Sequence, residues 1–87
     1  MVETRKISDL NWTAEHLILP GQRLPVALRY LSFEEVFSSE EVSPSEGERV
    51  YRLHFSRGGK TVCFVSVTLA TNDGLKELQN AILKSRL

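Results

Sequence analysis

Eighty-seven residues make one domain, 1–87, that can bury a single modest core. Hydrophobic residues make up 41% and charged residues 25%, and eleven basic side chains balance eleven acidic ones, a composition that argues against a general polyanion binder. One cysteine excludes an intrachain disulfide and a cysteine-based zinc site, and the longest mainly apolar run, residues 61–70, is half the length of a membrane span.

The first ten residues, MVETRKISDL, have no apolar signal core. The expectation is therefore an intracellular, cytoplasmic protein without a transmembrane segment. Residues 12–19, WTAEHLIL, read as a strand or a short helix, and Pro20-Gly21 as a turn. RLPVALRYL (23–31) reads as a strand that begins irregularly or lies at an edge, because Pro25 cannot donate to a ladder. Ser32-Phe33-Glu34-Glu35 has the pattern of a capping box, with Val36 and Phe37 at helical spacing from Phe33, and predicts one or two helical turns.

The segment SSEEVSPSEGE (38–48) is rich in Ser, Glu, Pro and Gly and holds one apolar residue, Val42. It cannot bury enough apolar surface to offset its ordering entropy, and an exposed, mobile acidic loop is predicted. From Ser32 to Glu48 there are six acidic residues and no Lys or Arg, so the rest of the chain carries a surplus of six positive charges. Glu40 and Glu41 are the acidic binding candidates. Ser38, Ser39 and Ser45 precede acidic residues and Ser43 precedes Pro44, so phosphorylation would add charge to a segment already negative.

The C-terminal half is the most regular. In RVYRLHFS (49–56), Tyr51, Leu53 and Phe55 alternate with Arg52 and His54, which marks a strand with one face buried. KTVCFVSVTLA (60–70) is rich in Val, Thr and Phe and apolar on both faces, as in a well-paired central strand. Gly58-Gly59 between them suits a two-residue hairpin turn, which would set Phe55 opposite Val62, Leu53 opposite Phe64 and His54 opposite Cys63. Cys63 sits in the apolar run and is expected to be a buried, unreactive thiol. Thr71, Asn72 and Asp73 are N-cap candidates for a helix over residues 73–85, with Leu75, Leu78, Ala81 and Ile82 on one face. Lys84 and Arg86 in its last turn complement the helix dipole.

These elements compose an α+β domain: a small antiparallel sheet of about four strands with a C-terminal helix packed on one face. The core is expected to gather Trp12, Leu17, Leu28, Tyr30, Phe33, Phe37, Leu53, Phe55, Phe64, Val67, Leu75, Leu78 and Ile82. The element order over residues 49–87 loosely resembles the end of a pleckstrin-homology-like domain, and also the strand-strand-helix ending of small single-strand-binding sheets.

Ser56-Arg57-Gly58-Gly59-Lys60-Thr61 ends like a phosphate-binding loop. Such a loop needs a glycine separated by four residues from its Gly-Lys-Thr and runs from strand to helix. Here that position is His54 and the segment joins two strands, so turn geometry accounts for the glycines. His16 and His54 are the only histidines, no metal-ligand spacing occurs, and no local signature arranges a catalytic triad. No enzyme activity, cofactor or metal is expected. The leading expectation is a non-enzymatic protein-interaction domain with an adaptor, regulatory or inhibitor role, monomeric or homodimeric and off the membrane. It would use the acidic segment or the basic hairpin residues Arg52, His54, Arg57 and Lys60. The alternative is a nucleic-acid-binding module built on the hairpin 49–60, aided by Arg29 or Lys84.

Overall fold

The computed structural model describes residues 4–19, 21, 24–37 and 44–87. Its strands are β1 (Thr4–Lys6), β2 (Asn11–Trp12), β3 (His16–Ile18), β4 (Val26–Ala27), β5 (Leu31–Val36), β6 (Glu48–Phe55) and β7 (Thr61–Thr68), followed by the helix α1 (Asn72–Ser85). The four-stranded sheet has the order β1-β7-β6-β5, and β2-β3-β4 form a second, smaller sheet. The protein is an α+β structure with its C-terminal helix packed against strands, as expected. Within the larger sheet β5, β6 and β7 are antiparallel, whereas β1 joins the β7 edge in parallel.

The two ends of the chain follow local chemistry. The turn between β2 and β3 is tied by the Thr13 hydroxyl, which accepts from the Glu15 and His16 amides at 3.4 and 3.1 Å. Pro25 precedes a two-residue β4, and the chain then tightens into a 3-10 turn at Leu28–Tyr30. A second such turn, Leu69–Thr71, leads into α1, with the Thr71 hydroxyl accepting from the Thr68 amide at 2.8 Å. Leu75, Leu78 and Ile82 are the buried residues of α1, on the face their spacing marks out. They join Leu17, Leu28, Leu31, Leu53 and Val65 in one core cluster, so both sheets and the helix share it.

Three expectations are corrected. Residues 33–37 do not form helical turns, because Leu31 and Phe33 alternate inward and pair opposite Phe55 and Leu53. A local cap is worth about 1 kcal/mol, and a six-residue ladder against β6 outweighs it. Tyr30 and Phe37 are not core residues; they are 54% and 80% exposed. The hairpin register is also displaced by one residue: Leu53 opposes Cys63 and Arg52 opposes Phe64.

The displacement has a hydrophobic cause. The expected register would have turned Val62, Phe64, Ser66 and Thr68 to the core. The observed one buries Cys63, Val65 and Val67 and leaves the two hydroxyl residues on the other face. The turn accordingly spans four residues, with the Phe55 amide donating to the Lys60 carbonyl and the Gly59 amide to the Phe55 carbonyl. Gly58 and Gly59 do both adopt the left-handed conformation, with φ of +86° and +70°. Val62 is the extra residue where His54 pairs with Thr61 but Leu53 with Cys63, a β-bulge. Phe64 thereby moves to a second, smaller buried cluster with Val50 and Val36.

Candidate interaction edge

Face parity divides the basic hairpin. Arg52 and His54 lie on the face opposite to Leu53, and their surroundings differ from those of the loop residues Arg57 and Lys60, which are exposed. The Arg52 guanidinium donates through Nε to the Thr61 hydroxyl at 2.5 Å, through one terminal nitrogen to the Gly59 carbonyl, and through the other to Glu34 at 3.3 Å. It bridges β5, β6 and the turn, and these bonds occupy donors that a phosphate would need. His54 Nδ1 lies 3.1 Å from the Phe55 carbonyl; a carbonyl only accepts, so this bond needs the proton on Nδ1. Arg29 stacks over the Tyr30 ring at 5.3 Å, and Lys84 is exposed on α1. Glu40, Glu41, Ser38, Ser39 and Ser43 lie outside the described residues; Ser45 and Glu46 are exposed.

Cys63 is buried in the core, and burial pushes its thiol up to about 11, with Arg5 pulling the other way. A buried thiol held protonated in this way packs as a small apolar side chain. Among the described residues no group of three or more His, Cys, Asp or Glu side chains could hold a metal ion, and no helix is long and apolar enough to cross a membrane.

A feature that residue chemistry alone did not mark is the outer edge of β5. The Ser56 amide donates to the Tyr30 carbonyl at 2.8 Å, which makes Tyr30 and Ser56 a hydrogen-bonded pair at the head of the β5–β6 ladder. Antiparallel pairing alternates, so Ser32, Glu34 and Val36 turn their backbone groups towards β6. Leu31, Phe33 and Glu35 turn theirs away, to the open edge. At Leu31 both groups are engaged: its amide donates to the Leu28 carbonyl, and its carbonyl accepts from Arg86. The outward amides and carbonyls of Phe33 and Glu35 have no hydrogen-bond partner among the described residues.

A groove of about 340 Å³ runs beside this edge, between β5 and α1. Leu31, Ser32 and Phe33 line one wall; Gln79, Ile82, Leu83 and Arg86 line the other. Phe33 is fixed edge-on against Tyr51, with ring centroids 6.4 Å apart. Leu83 stands on the helical wall with 59% of its surface exposed, a large apolar side chain without a core position. Arg86 also donates to the Ser32 hydroxyl at 3.1 Å, which holds its guanidinium at the Leu31 end of the groove. The arrangement offers a strand two open backbone positions, Phe33 and Glu35, and an apolar lip.

Comparison with known families, curated proteins and solved structures finds no match to this chain.

Proposed function

We propose that this is a small, non-enzymatic protein-interaction domain that accepts a β-strand from its partner along β5. The observation that carries the reading is the edge at Phe33 and Glu35, unpaired among the described residues, beside the β5–α1 groove. Strand addition draws affinity from main-chain hydrogen bonds and specificity from pockets for alternate side chains, and this edge supplies both. The internal bonds of Arg52 support the same choice, since they leave Arg57 and Lys60 as the exposed cations of the turn.

The test is capture from cell lysate, with and without nuclease, by the wild type, Glu35→Pro and Arg57→Glu/Lys60→Glu. Proline at position 35 removes an outward amide and leaves the bonds to β6 intact. The expected result is a nuclease-resistant protein partner, kept by the turn variant and lost by Glu35→Pro. Material that vanishes with nuclease and with the charge reversal would replace this reading with nucleic-acid binding through the turn.

A further inference from the structure

We infer that the strand taken up at this edge comes from a second copy of the same chain. The inference rests on the strand-addition reading and names its partner. The edge is bipolar: Arg86 is held at the Leu31 end, and the carboxylate of Glu35, two residues beyond Phe33, has no ion pair among the described residues. A bipolar edge is self-complementary under a two-fold axis, because antiparallel pairing brings each copy's acidic end to the other's basic end.

Backbone parity limits the register. Residues that turn their amides outward must face one another, so Phe33 opposes either Phe33 or Glu35 of the other copy, or a position further out. With Phe33 opposite Glu35, the two Glu34 side chains would stand directly opposite each other, a repulsive cross-strand pair. With Phe33 opposite Phe33, Glu34 meets the neutral Ser32, and Glu35 meets Leu31, the residue whose carbonyl holds Arg86. The two Phe33 residues then exchange both backbone hydrogen bonds, and two Glu35–Arg86 pairs flank them. Leu83, exposed on the groove wall beside Phe33, is covered at the junction. The two four-stranded sheets become one of eight strands with a helix on either side of the axis. Because Arg86 closes the ladder at Leu31, the paired segment is short, and the dimer is expected to form in a concentration-dependent manner.

Sedimentation equilibrium on the purified protein tests this with Glu35→Arg, Arg86→Glu and an equimolar mixture of the two. Wild type is expected to dimerise. Each single reversal turns both symmetry-related attractions into repulsions, and the dissociation constant should rise at least about tenfold. In the mixture, one copy of each variant restores complementary charges at both pairs, so a heterodimer should re-form at wild-type concentrations. A variant that merely unfolded could not be rescued by mixing. Wild type that stays monomeric, a dimer indifferent to both reversals, or a mixture without rescue would each overturn the inference. Strand addition itself stands or falls separately: a monomer that still captures a protein partner in a Glu35→Pro-sensitive way refutes the second copy and keeps the edge.

Discussion

Replacing Arg52 by Met tests whether this residue fastens the hairpin. Methionine keeps most of the apolar stem and removes the guanidinium. The lost bonds are those to Thr61 and Gly59, both part-buried, and to Glu34, whose side chain is 62% exposed against 30% for Arg52. A hydrogen bond to a charged group is worth about 1.5 kcal/mol or more, and an exposed ion pair about 0–1 kcal/mol. The first two bonds should therefore dominate, and Arg52→Met should destabilise the fold by about 3 kcal/mol. For a domain of this size that lowers Tm by roughly 10–20 °C. Glu34→Gln, which touches only the exposed pair, should cost less than about 1 kcal/mol. Urea unfolding of both variants, with Thr61→Val and the Arg52→Met/Thr61→Val double variant, measures each value and the coupling. Equal costs for Arg52→Met and Glu34→Gln, or no coupling between Arg52 and Thr61, would refute the fastening role and return Arg52 to the surface as a binding residue.

Gly58→Ala and Gly59→Ala should each cost about 1–2 kcal/mol by urea unfolding, since a side chain at either position meets open space and the penalty is the left-handed backbone alone. D-alanine at either site, introduced by chemical synthesis, should be neutral or stabilising. Leu78→Ala, at a fully buried position of α1, should cost about 3–5 kcal/mol, with the larger value if the cavity does not collapse. Cys63 should react with a thiol reagent only at the rate of global opening, at least a hundredfold slower than in urea. Its pKa also links pH to stability: the thiol is raised from 9.0 to about 11 by folding, so between these values the unfolded chain holds fewer protons. Stability therefore falls as pH rises through that window, by at most about 1.4 kcal/mol per pH unit, and Cys63→Ala should remove that contribution from the urea midpoints.

What the sequence made legible and what it hid follow from the range of the interactions involved. The α1 face was readable because Leu75, Leu78 and Ile82 repeat at the helical period and meet the core without competition. The strands β6 and β7 were readable from alternation and β-branched content, and the left-handed glycines from their adjacency. The register was not, because both faces of β7 are apolar over Val62, Cys63, Phe64 and Val65, so local pattern fits either choice. Only the burial of Val67 with Cys63 and Val65, against outward Ser66 and Thr68, decides it. At Ser32–Glu35 a local capping signal and a strand alternation coexist in the same residues, and the ladder to β6 selects the strand. The same long-range dependence applies to the candidate site. Arg52, His54, Arg57 and Lys60 could be named from charge and hairpin geometry, but the sequence could not show that Thr61, Gly59 and Glu34 take up the Arg52 donors. The β5 edge is a property of strand order: Phe33 and Glu35 present amides without a partner because, among the described residues, no strand follows β5 outward in the sheet. No residue type marks that condition, so an interaction built from backbone at an edge becomes visible only when the sheet order is known.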